Sequence, residues 1–392
     1  MKSMNIALCH DRVLPARGGC GTYISDLARS LVADGHEVHL YACAWDAASL
    51  PAGIHYHPVP APRGPRFLRP WQFGAACLRA VRRGRHDVSV GFDKTWGQDV
   101  LYPQGGLHLA SAAHNLYKYP GSLARSLARL IKGLDLAHWS YAALERRQYL
   151  SRPRPLILVN SEMVRHHFRQ YYGAPPSELR VLYSAIDPTR FAVHDRPRRR
   201  LQWREHWGIR ADETIGLFAA MNYRLKGLEP LLHAVSRLPA QVPFRLLVAG
   251  SPRTRAYERL ASRLGIAGRV HFLGPRRDML HCYFAADFLV HPTFYDPCSL
   301  VVLEALACGL PVITSRHNGA SELLKPPQDC CVIDDPHDYT RLAGCIEQLL
   351  DPEQRRLHAE AARRIAGQWA WEHHYRQFVQ LLAEAAARKQ AA

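Results

Sequence analysis

Apolar residues recur along this chain in two alternating rhythms: short continuous runs, and longer stretches in which every third or fourth position is apolar. Residues 6–10 form one such run and read as a buried strand. Ile24, Leu27, Ala28, Leu31 and Val32 then mark one face of a helix, which Gly35 ends before a second strand at residues 38–42. Residues 100–102 read as a further strand. After a charged stretch at residues 194–204 the rhythm restarts with a strand at residues 214–218, followed by runs at 244–250, 270–273 and 288–292. Residues 300–307 are apolar with helical character until Gly309, and residues 311–314 form the next strand. Alternation of this kind predicts an α/β architecture with a parallel sheet in each half. The Pro-rich and charged segment 185–197 is the expected hinge. It separates a domain at residues 1–185 from one at 186–365, with a closing helix at about 366–388 crossing back to the first half.

In parallel sheets, ligands bind beyond the carboxyl ends of the strands, so the loops there hold the candidate chemistry. Asp296 lies in the turn before the helix at 300–307, and Glu304 lies one turn inside it. The first amides of a helix lack intrahelical acceptors and carry partial positive charge, so the start near Cys298, Ser299 and Leu300 favours a phosphate. An ionised Glu304 can accept from a pair of ribose hydroxyls there, while Asp296 reaches sugar hydroxyls on the other side of a diphosphate. A surface turn with an ordinary helix acid fits the same two residues, so others must decide. Arg224 and Lys226 follow the strand 214–218, in AAMNYRLKGLEPLL, just before a helix that starts near Gly227. That position suits neutralising the charge of a leaving diphosphate. Alone they read as solvated loop cations; with the acid pair in the same half they gain a function.

On these residues the chain resembles the retaining glycosyltransferases of family 4, of the GT-B fold group, and within them the bacterial lipopolysaccharide core glucosyltransferase I type. The resemblance rests on Gly18 and Gly19 after the first strand, on GFDKTWGQDVLYPQGG from Gly91, on Arg224 with Lys226 and Gly227, on HFLGPRRDM, and on the block from Asp296 to Pro311. The family has Glu, seven residues, then Glu; the spacing is kept here with Asp296, one methylene shorter, at the first position. The resemblance implies two Rossmann-like doubly wound domains facing a central cleft. It implies a nucleotide-sugar donor, with uridine diphosphate as the carrier, retention of anomeric configuration, no metal and no covalent protein nucleophile. By the same resemblance, Glu304 contacts the ribose, Asp296 the donor sugar, and Arg224 and Lys226 the diphosphate. The loop of Gly18 and Gly19 lies against the phosphates, the backbone of Cys298, Ser299 and Leu300 faces the donor, and Arg276 approaches the uracil. A hexose would then pass to a glycan or lipid-linked acceptor in lipopolysaccharide core or other cell-envelope polysaccharide synthesis.

For the acceptor side, QGGLH follows the strand at 100–102, and the pair Gly105 and Gly106 lets backbone approach a ligand closely. His108 can then bond a sugar hydroxyl. Asp93 and Asp99 are further candidates, and Asp11 ends the first strand; loop or cap roles fit these acids equally. Asp334 and Asp335 precede a helical stretch opened by Pro336 and read as caps, not metal ligands.

Composition adds one feature. The 392 residues carry 51 Lys and Arg against 34 Asp and Glu. Much of this excess lies in residues 63–85, opened by Arg63 and closed by Arg85, where Phe67, Trp71 and Phe73 interleave with arginines and no acid. Residues 122–136, opened by Ser122 and closed by Leu136, place Leu123, Leu127, Leu130, Ile131 and Leu134 at helical spacing beside Arg125, Arg129 and Lys132. Basic amphipathic helices lie on anionic membrane surfaces, although a helix packed on the core has the same pattern. The start of the chain lacks the apolar core of a secretory signal and no apolar run approaches a bilayer span, so a cytoplasmic enzyme peripheral on the inner face of the cell membrane is expected. Ten cysteines without a CxxC pair argue against a zinc ribbon or redox motif and fit a reducing compartment, most of them reading as core or incidental. Nucleic-acid binding is the alternative for the basic charge, but no recognised nucleic-acid motif accompanies it. A dinucleotide-dependent oxidoreductase rests only on GGCGT at Gly18, and VHLYACAW lacks the acid such a site needs.

Overall fold

The structure, a computed structural model, describes residues 3–15, 19–152, 154–191, 195–276, 278–326 and 330–391. The chain divides into two compact units. The first comprises Met1–Leu116, Gly121–Tyr183 and His373–Ala392, and the second Tyr117–Pro120 and Ser184–Glu372.

Among the described residues, the strands of the first unit are β1 (Asn5–Cys9), β2 (Arg12–Val13), β3 (Glu37–Ala42), β4 (Ala44–Trp45), β5 (Ile54–Pro58), β6 (Val88–Gly91), β7 (Val100–Leu101), β8 (Leu156–Val159) and β9 (Leu179–Val181). The short β2 and β4 pair with each other; the others form one parallel sheet in the order β5-β3-β1-β6-β7-β8-β9. From β1 the chain moves outward to β5, then returns to the other side of β1 at β6. The turning point between β1 and β6 leaves a crevice beyond their carboxyl ends. Helices α1 (Gly19–Ala33), α2 (Arg69–Arg83), α3 (His108–Tyr117), α4 (Ser122–Gly133), α5 (Leu136–Leu150) and α6 (Glu162–Tyr172) connect the strands. In α1 Ile24, Leu27, Ala28 and Leu31 of the expected face are buried, and Val32 is half-buried. Gly35 then turns the chain at φ +78, a left-handed conformation open to glycine. Helix α6 shows how the sequence sets an element's ends: the Ser161 hydroxyl accepts from the Val164 amide at 3.3 Å, and Gly173 closes the helix in the left-handed region.

The second unit repeats the plan with β10 (Thr214–Ala220), β11 (Phe244–Gly250), β12 (Val270–Gly274), β13 (Phe288–His291), β14 (Val312–Ser315) and β15 (Cys331–Ile333), parallel in the order β12-β11-β10-β13-β14-β15. Its turning point lies between β10 and β13. The helices are α7 (Arg196–His206), α8 (Leu228–Val235), α9 (Arg255–Arg263), α10 (Leu280–Ala285), α11 (Leu300–Ala307), α12 (Tyr339–Gln348) and α13 (Pro352–Gln368). Phe218, Leu231, Val235, Phe244, Val248 and Phe288 belong to one buried cluster between sheet and helices. The charged α7 is anchored by Asp287: Arg200 and Arg204 pair with its carboxylate at 2.6 and 2.7 Å, and the Ile215 amide donates to it at 2.7 Å. Final helix α14 (Trp371–Gln390) returns to the first unit. There the Tyr23 hydroxyl meets His374 Nε2 at 2.8 Å, and Arg180 pairs with Glu384 at 2.9 Å.

Two readings of the sequence are corrected here. Asp334 and Asp335 do not cap a helix opened by Pro336. Asp338 caps α12, accepting from the Arg341 amide at 2.8 Å, while Asp335 stabilises the preceding turn through the His337 amide and Asp334 pairs with Arg316. The helix starts three residues later because that turn comes first. Nor does every cysteine fit the free thiol expected of a reducing compartment. Cys331 and Cys345 are disulfide-bonded, because α12 packs against β15 and brings their Cα atoms to 6.1 Å. A spacing rule along the sequence cannot register a pair formed by packing.

Candidate active site

Lys226 and Asp296 come from the loops after the neighbouring strands β10 and β13, at the turning point of the second sheet. Lys226 Nζ lies 2.6 Å from Asp296 Oδ2 and donates to the Tyr295 carbonyl at 3.0 Å. His291, the last residue of β13, brings Nε2 within 3.4 Å of the same carboxylate oxygen. Burial alone would raise the Asp296 carboxyl; Lys226 and His291 together outweigh it and hold Asp296 well below the usual carboxylate range. Asp296 is therefore a fixed anion. The two loops are tied by backbone: the Phe294 amide donates to the Leu225 carbonyl at 2.9 Å. Their approach is close enough to require Gly227, where φ is +83 and an added Cβ would sit 2.1 Å from the Pro292 carbonyl oxygen. Arg224 is exposed, its guanidinium 4.3 Å over the Tyr119 ring.

Beyond Asp296, α11 begins where the apolar run predicts. Ser299 is its N-cap residue, and the Ser299 amide donates to Asn318 Oδ1 at 3.2 Å. Of the three residues expected to present backbone to a ligand, Ser299 therefore has its amide committed within the protein. Leu300 opens the helix half-buried, and Cys298 is buried, which pushes its thiol up to about 12. One turn in, Glu304 accepts from the Tyr283 hydroxyl at 2.5 Å through Oε2. Burial raises the Glu304 carboxyl, and the bond from Tyr283 and the charge of Arg190 only partly offset it.

In the first unit a cavity of about 280 Å³ opens beyond the carboxyl ends of β6 and β7, lined by Asp93, Gly105, Gly106, His108, Tyr141, Glu145 and Gln148 among others. Asp93 adopts φ +55, an uncommon conformation for a residue with a side chain. Its Oδ1 accepts from the Gly105 amide at 3.1 Å, and its carbonyl accepts from the Gln148 side chain. His108 is the first residue of α3. Its Nε2 meets His138 Nδ1 at 3.0 Å, and burial, with the nearby charges of His138 and Lys132, lowers it to about 4. Neutral imidazole therefore faces the cavity. Glu145 accepts the amides of His108 and Leu109 and the Tyr172 hydroxyl, and burial raises it to about 7 against those bonds.

Asp99 does not join this group. It precedes β7, at the amino ends of the strands, where it accepts from the Ser89 amide and hydroxyl at 2.8 and 2.7 Å and pairs with Lys389 at 3.1 Å. Of the two roles the sequence leaves open for Asp99, a cleft acid or a loop and cap acid, its bonds to Ser89 fit the second. Asp11 stays near the carboxyl edge, with Lys94 3.8 Å away. Gly19 opens α1 and is exposed, whereas Gly18 lies outside the described residues. Arg276 is exposed beyond β12, 5.8 Å over the Trp207 ring.

The two basic stretches differ. In α2, Phe73 is fully buried and the Trp71 indole donates to Ser140, so two of the aromatics of residues 63–85 are turned into the fold. In α4 no residue is buried, and Leu123, Leu127, Leu130 and Ile131 are exposed, as is Leu134 after it. The core-packed alternative for α4 is thereby removed. Lys132 is turned back onto the Ala112 carbonyl at 3.1 Å.

Comparison with known proteins follows the same division. Residues 17–190 match the family described as Glycosyltransferase Family 4, and residues 212–352 that described as Glycosyl transferases group 1. A probable transglycosylase of Burkholderia thailandensis is 30% identical over 355 residues, covering 89% of this chain and 86% of that protein. The chain belongs to glycosyltransferase family 4. It is also 26% identical to the lipopolysaccharide glucosyltransferase WaaG of Escherichia coli (strain K12), over 93% of this chain and 94% of that one. The crystal structure of WaaG superposes with a TM-score of 0.80 at 24% identity, covering 96% of this chain and 99% of WaaG, so the fold is GT-B, with two Rossmann-like units. The Anabaena protein Alr3699/HepE, solved in complex with UDP-glucose, shares the fold with a TM-score of 0.69 at 18% identity, covering 97% of this chain and 100% of that one.

In this glycosyltransferase, several residues that complete the two sites carried little signal in the sequence. His291 ends a strand, Asn318 stands in a later loop, and Tyr283 lies in α10; each meets the donor-side residues only through the fold. Glu145 and Gln148 had a faint one in their spacing of three on one helix face; their burial emerges only in the fold. Among the described residues, two groups of three side chains bring metal-ligating atoms within 4.8 Å of one another: His10, Cys20 and Asp93, and Glu37, His39 and His55. In the first, burial and the charges of Asp93 and Asp11 push the Cys20 thiol well up.

Proposed function

We propose that this glycosyltransferase is a retaining, metal-independent hexosyltransferase. It takes a hexose from a uridine diphosphate sugar and passes it to a glycan or lipid-linked acceptor, in lipopolysaccharide core or other cell-envelope polysaccharide synthesis. The observation that carries the reading is the Lys226–Asp296 contact at the turning point before α11. An ammonium has three N–H donors, and two of those of Lys226 serve the Tyr295 carbonyl and Asp296, which leaves one for a phosphate oxygen. Arg224 supplies a second cation from the same loop. As the diphosphate leaves, these charges and the first amides of α11 stabilise it, and the acceptor hydroxyl attacks from the same face and gives its proton to the departing phosphate oxygen. Asp296 holds hydroxyls of the donor sugar, and the free oxygen of Glu304 receives the ribose. The cavity of Asp93, Gly105, Gly106 and His108 takes the acceptor, with neutral His108 as a hydrogen-bonding partner.

UDP-glucose in the related HepE structure and the glucosyltransferase activity named for WaaG favour a UDP-hexose. The exposed apolar face of α4 supports work at an anionic membrane surface, where a lipid-linked acceptor is held. No helix among the described residues is long and apolar enough to cross a membrane. The test is a thermal-shift screen of nucleotides and nucleotide sugars, followed by transfer assays with the donor that stabilises most. A UDP-sugar should raise the melting temperature selectively. Stabilisation by a dinucleotide or an oligonucleotide alone overturns the reading.

A further inference from the structure

On the outer part of the first sheet, Glu37, His39 and Tyr41 of β3 share one face with His55 and His57 of the edge strand β5, because the parallel register pairs His39 with His55 and Tyr41 with His57. We infer that Glu37, His39 and His55 form a binding site for a divalent transition-metal ion of the zinc type, away from the transfer site. Glu37 Oε1 lies 3.0 Å from His39 Nε2 and 3.7 Å from His55 Nε2. Ligands at about 2.1 Å in a tetrahedral zinc site stand about 3.4 Å apart, so these separations bracket the required value. The three ligand atoms all fall within 4.8 Å of one another; the exposed His55 stacks on His39 with ring centroids 4.7 Å apart, and its ring would tilt out of that stack to aim Nε2 at the ion.

Partners behind the ligands hold them in a binding orientation. Asn5 Nδ2 donates to Glu37 Oε2 at 3.0 Å, leaving Oε1 aimed between the two imidazoles. His39 Nδ1 lies 2.9 Å from His57 Nε2, so with an ion on Nε2 the His39 proton would move to Nδ1 and be donated to His57. His57 is itself fixed by stacking on Tyr41, with ring centroids 4.4 Å apart. Such supporting contacts orient metal-bound histidines, and their loss typically weakens binding about 10–100-fold. Two imidazoles and one carboxylate suit zinc, nickel or copper rather than magnesium or calcium, and water completes the coordination. A bound ion would clip the edge strand β5 to β3.

The experiment is calorimetric titration of the full chain with zinc chloride in a buffer free of chelators, with magnesium chloride as control. One zinc per chain is expected, with a rise in melting temperature and no response to magnesium. His55→Ala alters an exposed side chain and should weaken binding at least tenfold; Glu37→Gln should do the same, and His57→Ala about tenfold through His39. Circular dichroism checks that each variant is folded. Zinc binding that is absent from the wild type, or unchanged in both His55→Ala and Glu37→Gln, overturns the site.

Discussion

Lys226 Nζ stands 2.6 Å from Asp296 Oδ2 across two loops, with both side chains largely withdrawn from water. In the proposed function the lysine has two duties, one toward the diphosphate and one, seen in this contact, toward the protein. Lys226→Ala removes a charge from the diphosphate site, which should lower turnover about a hundredfold or more. It also leaves a buried carboxylate without its main partner, which should cost about 3 kcal/mol of stability. Lys226→Met with Asp296→Asn separates the duties, since neither charge then remains: urea unfolding should recover most of the loss while transfer stays defective. Recovery of transfer in the double variant would show that neither charge serves catalysis.

In the proposed function Glu304 accepts ribose hydroxyls best when ionised, and its burial raises the pH at which it takes up a proton. Donor affinity should accordingly decline on acidification sooner than an exposed glutamate would dictate. Glu304→Gln keeps an oxygen for the Tyr283 hydroxyl, so the fold should tolerate it. Uridine diphosphate binding by this variant should be about tenfold weaker at neutral pH, the equivalent of one hydrogen bond to a charged group. It should also no longer change with pH in the acid range; calorimetry at a series of pH values gives both numbers.

Gly227 and Gly265 both adopt left-handed backbone, at φ +83 and +71, but an added Cβ meets the Pro292 carbonyl at 2.1 Å in the first case and nothing within 4 Å in the second. Alanine at 265 should cost about 1 kcal/mol from backbone strain alone. Alanine at 227 must also push the β13 loop away, for a loss of about 3 kcal/mol or more together with most of the activity, because the displaced loop carries Asp296. Equal losses at the two positions would mean that the loops are not as tightly apposed as described.

The placing of the proposed donor-side residues was readable because they lie within one loop-helix segment: Asp296, Ser299 and Glu304 fall along nine residues of chain, and the apolar run gave α11 its limits. The acceptor-side cavity was only half readable. Gly105, Gly106 and His108 follow a strand in sequence, but Glu145 and Gln148 reach the same cavity from α5, a long-range meeting that local periodicity does not encode. Asp99 shows the limit most clearly. It stands just before the two-residue strand β7, and nothing local in the sequence shows that its carboxylate is committed to the Ser89 amide and hydroxyl of the neighbouring strand rather than open to a ligand. The partners of Asp296 illustrate a different gap: His291 looks like an ordinary strand residue until the fold turns it toward the carboxylate.

His374 joins α14 to the core of the first unit, with Nδ1 donating to the Tyr183 carbonyl at 2.7 Å and Nε2 accepting from the Tyr23 hydroxyl at 2.8 Å. Protonation at Nε2 removes that second bond. Burial lowers the histidine from 6.5 to about 4 in the fold. The unfolded chain therefore binds the proton first as pH falls. The stabilisation is complete above about pH 6.5 and is lost as pH drops toward 4, roughly 3 kcal/mol in all for this one group. His86, His108 and His167 are lowered in the same direction and add to the slope. Urea midpoints measured between pH 4.5 and 7 should rise with pH, and His374→Asn should flatten the rise; a slope unchanged by the substitution would assign the effect to the other histidines.

Leu123, Leu127, Leu130 and Ile131 of α4 are between 57% and 84% exposed, an apolar face on a helix with no buried residue. Each leucine moved from water into a bilayer interface contributes up to about 2 kcal/mol, and each basic residue at an anionic surface about 1 kcal/mol. Lys132, held by the Ala112 carbonyl, contributes less than Arg129, so apolar contact should dominate and charge should tune it. In flotation assays the protein should bind vesicles containing anionic lipid and release progressively as salt rises. Leu127→Glu with Leu130→Glu should abolish flotation at every salt concentration, because both substitutions remove apolar area and add like charge to the lipid. Arg125→Ser with Arg129→Ser should weaken binding about tenfold or more and reduce its salt dependence. If the leucine variant floats as well as the wild type, α4 is not the membrane-contacting element, and the acceptor must be reached through another surface.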